Sequence, residues 1–248
     1  MIEGEKMLKE ILKNKKVIIF DFDGTLADTL DIWNEVDQRA IFELANIKEP
    51  LWIIQEERDK VINENKDKAV YEVYAEYLKE KYKISCDLDY IINRRREIAR
   101  EYTTNVIDYK KDADKVLKEL KIRGYILVLA TTTAKRTIDV YNNENQNLIK
   151  KAKFDETFNL ILSNDDVKEK KPSPEIFLLA TEKLGVKKEE CLIVEDSLEG
   201  VTAANLAEIE VLNIPDEHSI KNQKEINKKA EYKLNNFTEF LEIIKNIK

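Results

Sequence analysis

The chain has 248 residues, of which 43% are hydrophobic, so it can bury a sizeable core as one large domain or as a core with an inserted domain. Its net charge of −7, from 42 basic and 49 acidic residues, speaks against nucleic acid as a general partner. No apolar run approaches membrane-spanning length, and residues 1–16 lack a signal-peptide core, so we expect a cytoplasmic protein that does not bind membranes.

Histidine and cysteine usage narrows the chemistry further. The single histidine, His218, excludes a histidine pair or a triad, so carboxylates and lysine must carry any acid–base work. Cys86 and Cys191 lie far apart and form no metal or redox spacing, which favours reduced, buried thiols.

The N-terminal part of the chain predicts one helix and one strand. Apolar residues at helical spacing over residues 3–14 indicate a short amphipathic helix. The apolar run Val17 to Phe20 is too short for a helix and too continuous for a half-exposed strand. It therefore predicts a strand buried on both faces, as in a parallel sheet.

Two carboxylates follow this strand directly, at Asp21 and Asp23. In extended chain, side chains two positions apart point the same way, so these two converge and repel each other unless a cation lies between them. Mg²⁺, which is held by one or two carboxylates and substrate phosphate, fits such a site. Gly24 allows the backbone to turn away sharply. The alternative is an Asp-rich turn without chemistry.

From residue 29 to residue 104 the pattern is helical. We expect helices around 31–46, 52–64 and 87–101, and an apolar stripe runs from Val70 to Leu78. No stretch here is typical of a buried strand. The sequence therefore predicts an all-helical module, 29–104, inserted into a domain made of 1–28 and 105–248.

After residue 105 helices and strands alternate, which is typical of an α/β fold with a doubly wound parallel sheet. Predicted strands are 125–130, 159–162, 191–194 and 211–214, and predicted helices are 113–120, 174–184 and 237–247. The Lys/Asn/Glu-rich stretch 142–153 is interpreted as a solvated helix face and loop.

Three further polar clusters lie at the ends of predicted strands. Thr131 to Thr133 follow the second strand, where they could hold a phosphate oxygen or only cap a helix. A lysine run ends at Lys171, before Pro172-Ser173-Pro174, and such runs are usually solvated. Glu195 and Asp196 end a buried strand, where two adjacent carboxylates suggest part of a cation site or a helix cap.

Taken in order, these four motifs resemble those of the haloacid dehalogenase-like superfamily of hydrolases, in particular members similar to phosphoglycolate phosphatases and beta-phosphoglucomutase-like phosphatases. The resemblance implies a Rossmann-like core with a helical cap at 29–104. It also implies roles for seven residues. Asp21 is the implied nucleophile and Asp23 the acid/base, while Thr131, Thr132 and Lys171 bind phosphate. The implied Mg²⁺ ligands are Asp21, Asp23 and Asp196, with Glu195 as a further ligand or its support. The family usually has glycine before the lysine, whereas this chain has Lys170.

The implied function is Mg²⁺-dependent hydrolysis of a small phosphorylated metabolite, a phosphate monoester, through an aspartyl-phosphate, by a monomer. One alternative is a phosphosugar mutase, although such enzymes use a cap histidine that this cap lacks. The other is a catalytically silent binding or regulatory protein on the same fold, against which the intact set of motifs weighs.

Overall fold

The computed structural model describes residues 3–65 and 70–247. Its contacts divide the chain into two compact units. The first, here called the α/β unit, consists of Met1–Thr29 and Ile107–Lys248. The second, the helical unit, is Leu30–Val106.

Six strands form one parallel sheet in the α/β unit. They are β1 Val17–Phe20, β2 Ile126–Ala130, β3 Leu160–Leu162, β4 Cys191–Glu195, β5 Val211–Asn213 and β6 Tyr232–Lys233. The spatial order is β3-β2-β1-β4-β5-β6, and every neighbouring pair is parallel. The first strand therefore lies where the strand order reverses, which is the usual position of a ligand site in an open α/β sheet. The predicted α/β fold with a doubly wound parallel sheet is confirmed.

The α-helices of the described residues are, in chain order, α1 Glu3–Leu12, α2 Ile32–Ala45, α3 Leu51–Glu64, α4 Val70–Lys81, α5 Leu88–Asn105, α6 Ala113–Ile122, α7 Lys135–Asn143, α8 Gln146–Ala152, α9 Phe154–Thr157, α10 Glu175–Leu184, α11 Leu198–Ala207, α12 Gln223–Lys229 and α13 Phe237–Lys245. Helices α2 to α5 make up the helical unit, and the others belong to the α/β unit. Across the described parts of the chain, none of these helices combines the length and apolarity needed to cross a bilayer.

The central strand is buried on both faces, which explains its unbroken apolar sequence. All four residues of β1 are fully buried. Val17 and Ile19 share one core cluster with Phe177 of α10 and Val201 of α11. Ile18 and Phe20 point to the opposite face, because successive side chains of a strand alternate.

The prediction for residues 142–153 was wrong in part, because this stretch contributes to the core. Leu148 and Ala152 of α8 are buried. Asn145, which is fully buried, accepts a hydrogen bond from the Leu148 amide at 2.9 Å and so begins the helix. Both cysteines are free, but only Cys191 is buried, whereas Cys86 is half-buried.

The helical unit has its own small core. Buried residues from all four helices form one cluster, which includes Ile41, Ile54, Tyr74, Leu78 and Ile91. Helix α5 is capped by Asp87, whose carboxylate accepts a hydrogen bond from the Tyr90 amide at 2.7 Å. Such a cap satisfies an amide that has no partner within the helix.

Candidate active site

Phe22 fixes the two aspartates that follow β1. Its ring is fully buried and packs against Tyr141 and Phe154, with ring centroids 5.1 Å and 5.2 Å away. The Asp21 amide donates to the Val194 carbonyl at 3.1 Å, which continues the sheet pairing with β4 beyond the strand. Because neighbours of Phe22 in extended chain point away from its cluster, its burial directs both carboxylates to the edge of the sheet.

The chain turns immediately after Asp23. Gly24 has a φ of +81°, in the left-handed region that side chains disfavour, and its amide donates to the Ala27 carbonyl at 2.9 Å. Thr25 then donates its hydroxyl to Asp196 Oδ1 at 2.5 Å. This hydrogen bond connects the turn after Asp23 to Asp196 at the end of β4.

Of the lysine run, Lys171 is the residue that the structure places beside Asp21. Its ammonium donates to Asp21 Oδ1 at 2.6 Å, to Glu195 Oε1 at 2.6 Å and to the Ala130 carbonyl at 3.0 Å. The Lys171 side chain is only 4% exposed, whereas Lys168 and Lys170 are exposed. The absence of glycine before Lys171 therefore does not keep its ammonium away from the first motif.

Several hydrogen bonds hold the Glu195 carboxylate at the end of β4. Its Oε2 accepts hydrogen bonds from the amides of Asp196 and Ser197 at 3.0 and 3.1 Å and from the Ser197 hydroxyl at 3.0 Å. Gly200 in the first turn of α11 lies so close that a Cβ there would be 1.9 Å from Glu195 Oε1. The site therefore needs a residue without a side chain at position 200.

Asp21, Glu195 and Asp196 form a buried group in which one ligand oxygen from each lies within 4.8 Å of the others. Burial raises the pKa of Asp21 well above its usual value; Lys171 lowers it, and Glu195 and Asp196 raise it further. Burial and the Glu195 carboxylate raise the pKa of Asp196 to about 8, although the Thr25 hydroxyl lowers it. Burial disfavours the charged form of Lys171, but Asp21 and Glu195 nevertheless raise its pKa.

Burial is the largest cause of the raised pKa values of Asp21 and Asp196, and a local excess of negative charge adds to it. Three buried carboxylates lie together here, and the Lys171 ammonium contacts two of them, Asp21 and Glu195. A hard divalent cation with a preference for oxygen ligands fits this donor set and would remove the excess.

Three threonine hydroxyls hold the Asp23 carboxylate. Thr29 donates to Asp23 Oδ1 at 2.7 Å, while Thr133 and, at 3.4 Å, Thr131 donate to Oδ2. The acidic group found among the described residues does not include Asp23. Thr132 is exposed. The assignments of Asp23 as a metal ligand and of Thr132 as a phosphate-binding residue therefore stay predictions.

Sequence reasoning missed several residues around the site. The hydroxyls of Thr25, Thr29 and Thr133 were not assigned to the aspartates that they contact. Lys110 was also missed, although its ammonium donates to the Gly24 carbonyl and to Asp216 Oδ2, the latter at 2.6 Å. Thr25 and Thr29 lie close enough in sequence to be suspected, whereas Lys110 carries no local signal.

Comparison with known proteins identifies the family of this chain. A model of the haloacid dehalogenase-like hydrolase family matches residues 18–214. The chain is 24% identical over 211 residues to the bifunctional riboflavin kinase/FMN phosphatase of Arabidopsis thaliana; the match covers 84% of this chain and 51% of that protein. The chain thus spans about half the length of that relative.

Two further proteins are similar over most of their length. The phosphorylated carbohydrates phosphatase of Thermotoga maritima is 27% identical over 199 residues, which are 79% of this chain and 82% of that protein. The crystal structure of CbbY from Rhodobacter sphaeroides in complex with phosphate has the same fold, with a TM-score of 0.64 and 24% identity, over 91% of this chain and 96% of that chain. Since the family model runs from β1 to the residue after β5, this chain belongs to the haloacid dehalogenase-like hydrolases.

Proposed function

We propose that this protein is a phosphatase that uses Mg²⁺ to hydrolyse a small-molecule phosphate monoester through an aspartyl-phosphate on Asp21. The observation that carries the proposal is the buried ion pair of Lys171 with Asp21, at 2.6 Å, beside Glu195 and Asp196. A buried carboxylate next to a fixed cation, at the carboxyl ends of central strands, is suited to attack an anionic substrate. Relatives that are named phosphatases support the reaction class.

Asp21, Glu195 and Asp196 are the residues that would hold the Mg²⁺, because their oxygens already lie together. When bound, the ion supplies positive charge that lets an anionic phosphate approach these carboxylates. The same charge favours the ionised form of Asp21, which burial alone disfavours.

The proposed reaction has two steps. In the first, an Asp21 carboxylate oxygen attacks phosphorus, the bond from phosphorus to the leaving oxygen breaks, and Asp23 gives that oxygen a proton. In the second, Asp23 takes a proton from water, whose oxygen attacks the aspartyl-phosphate and releases phosphate and free Asp21. The threonine hydroxyls on Asp23 fix the direction from which it gives and receives the proton.

Lys171 and Thr131 stabilise charge on the phosphoryl oxygens in this scheme. The Lys171 ammonium already lies at Asp21, so it does not have to be ordered when substrate arrives. Thr131 is fully buried at the end of β2. Thr131 directly follows β2, and the Lys171 ammonium donates to Ala130 of β2 and Glu195 of β4, so both groups are held at the carboxyl ends of strands.

The test is turnover of 4-nitrophenyl phosphate with the full chain. We expect hydrolysis with Mg²⁺, none in excess chelator, recovery when Mg²⁺ is added back, and poor recovery with Ca²⁺, whose larger and looser shell would misplace the nucleophile. Asp21→Asn is the control for contaminating phosphatases. Full activity in chelator would contradict the proposed metal site. A binding protein would be favoured if the chain hydrolysed neither this ester nor any of a panel of sugar phosphates, nucleotides and phosphoglycolate.

A further inference from the structure

Lys110 joins two loops that meet beside the first motif. Its ammonium donates one hydrogen bond to the Gly24 carbonyl and another, at 2.6 Å, to Asp216 Oδ2. The Lys110 side chain is 20% exposed and that of Asp216 is 4% exposed, so the ion pair is largely shielded from water. The proposed two-step reaction does not use this cation.

The backbone directly after Asp23 is the part of the turn with the greatest conformational freedom. Gly24 has a φ of +81°, and a glycine adopts positive and negative φ about equally readily. The local sequence therefore does not by itself fix the direction of the Gly24 carbonyl. The hydrogen bond from Lys110 fixes this direction, and with it the peptide that joins Gly24 to Thr25.

The segment that carries Lys110 is itself anchored along the same turn. The Lys110 amide donates to the Leu26 carbonyl at 2.8 Å, and Tyr109 forms an antiparallel bridge with Ala27. Tyr109 is buried in the core of the α/β unit. The ammonium thus reaches Gly24 from a backbone whose own position is fixed.

The other partner of the ammonium, Asp216, is also held in place. Asp216 lies in the loop after β5, the strand next to β4, and its Oδ1 accepts a hydrogen bond from the His218 amide at 2.9 Å. At the start of this loop the Ile214 amide donates to the Glu195 carbonyl at 3.0 Å. Lys110 therefore connects the turn after Asp23 to a loop that is bonded to the end of β4.

We propose that Lys110 is a positioning residue for Asp23, which fixes the peptide after Asp23 and so the direction of its carboxylate, with Asp216 as the counter-ion of Lys110. Threonine hydroxyls hold the carboxylate itself, whereas Lys110 acts on the backbone beside it. The inference rests on the proposed function, in which Asp23 gives and takes the proton. Proton transfer requires the two heavy atoms to lie within about 2.6–3.2 Å, so a small rotation of the Asp23 backbone slows it.

The first test is steady-state hydrolysis of 4-nitrophenyl phosphate in saturating Mg²⁺. In Lys110→Met we expect kcat to fall about 10- to 100-fold, because a misplacement of about 1 Å in a reacting group can cost about 10²-fold. KM should change little, since the variant keeps Lys171 and Thr131. Lys110→Arg should restore most of kcat, because a guanidinium can also donate to both acceptors. Lys111→Met, at the exposed neighbouring position, is the matched control and should keep the rate.

The second test separates positioning from a general structural role. In an Asp23→Asn background the side chain that Lys110 is proposed to direct no longer carries the proton. Lys110→Met should therefore slow single turnover by a much smaller factor there than in the unchanged chain. A merely structural loss would act on the folded fraction and would cost the same factor in both backgrounds. Circular dichroism gives the folded fraction of each variant.

Hydrogen exchange tests the contact without any turnover. The amides of residues 24–27 should exchange faster in Lys110→Met than in the unchanged chain, whereas Lys111→Met should leave their exchange unaltered. An unchanged chain that hydrolyses no ester would overturn the proposed function. Equal exchange in the three proteins would instead overturn the positioning of the turn by Lys110.

The inference also fails if Lys110→Met keeps kcat to within a few fold, or if it costs the same factor with and without Asp23. If Lys110→Met does not fold, Asp216→Asn decides the matter, because it leaves the ammonium in place and removes the charge of its counter-ion. This variant should accelerate exchange in the turn and lower kcat. The positioning role is refuted if it does neither.

Discussion

Replacing Lys171 by methionine tests the electrostatics of the site most directly. The change keeps most of a side chain that is only 4% exposed. It removes the ammonium, which lies 5.0 Å from the centroid of the Phe177 ring and contacts Asp21 and Glu195 at 2.6 Å each. Without it, two buried carboxylates lose their cation. The loss of one partner from a buried ion pair destabilises a protein by about 3–5 kcal/mol, part of which is recovered when a carboxyl group takes up a proton. Removing one preorganised donor from the reacting group slows catalysis by about 10²- to 10³-fold.

Two measurements separate these effects. Urea unfolding without metal gives the change in the free energy of unfolding, and single-turnover hydrolysis in saturating Mg²⁺ gives the change in rate. Lys170→Met is the matched control, because Lys170 is the exposed neighbour in the same run, and it should change neither quantity. Lys171→Arg should restore stability better than rate, since a planar fork does not occupy the place of a point charge. The reasoning is refuted if Lys170→Met loses more activity than Lys171→Met, or if Lys171→Met keeps its rate to within a few fold.

Two further sets of substitutions probe the proposed roles of Asp21 and Asp23 and the packing of Gly200 against Glu195. Asp21→Asn should form no phosphoenzyme. Asp23→Asn should turn over about 10²- to 10⁴-fold more slowly but still become phosphorylated. Acid-stable, hydroxylamine-labile phosphate on the Asp21→Asn protein would mean that the roles are assigned wrongly. Gly200→Ala places a Cβ 1.9 Å from Glu195 Oε1, so it should displace that carboxylate. We expect the free energy of unfolding to fall by about 1–3 kcal/mol and turnover to decrease. Thermal melts and steady-state rates measure the two effects. Gly185→Ala is its control: at a φ of +63° with no atom within 4 Å, it should lower stability by about 1–2 kcal/mol and leave the rate per folded molecule unchanged.

The family, the fold class and the central strand could be predicted because their signals are local. A strand buried on both faces must be apolar throughout, so β1 is visible as the run from Val17 to Phe20, and it forms at those residues. Strand β6 was not predicted, because two residues, Tyr232 and Lys233, carry no periodicity. Helix α12 was missed as well, because among its residues Ile226 alone is buried.

The contacts between motifs could not be predicted from spacing. Thr133 contacts Asp23 from 110 positions away, and Lys110 contacts Asp216 across 106 positions. Such pairs depend on which strand ends meet, and therefore on the whole sheet topology. Asn145 shows the opposite error, since a polar residue in a Lys/Asn/Glu-rich stretch is fully buried as a helix cap. Composition describes the average of a stretch and not the residue that its helix needs at one end.

The place of β1 in the sheet has a consequence for synthesis of the protein on the ribosome. The first strand to emerge lies inside the sheet and needs two partners, because Val17 pairs with Ile126 on one side and with Cys191 on the other. More than one hundred residues separate β1 from β2, so at about 5–20 residues per second the nascent strand waits roughly 5–20 s for its first partner. During that time both edges of an entirely apolar strand are unpaired, a state prone to aggregation. The helical unit ends at Val106 and can fold in the interval. The Lys110 amide donates to the Leu26 carbonyl at 2.8 Å, so the two ends of the segment that contains the helical unit lie side by side. Once this unit is folded, the loop that β1 and β2 must close is therefore effectively shorter.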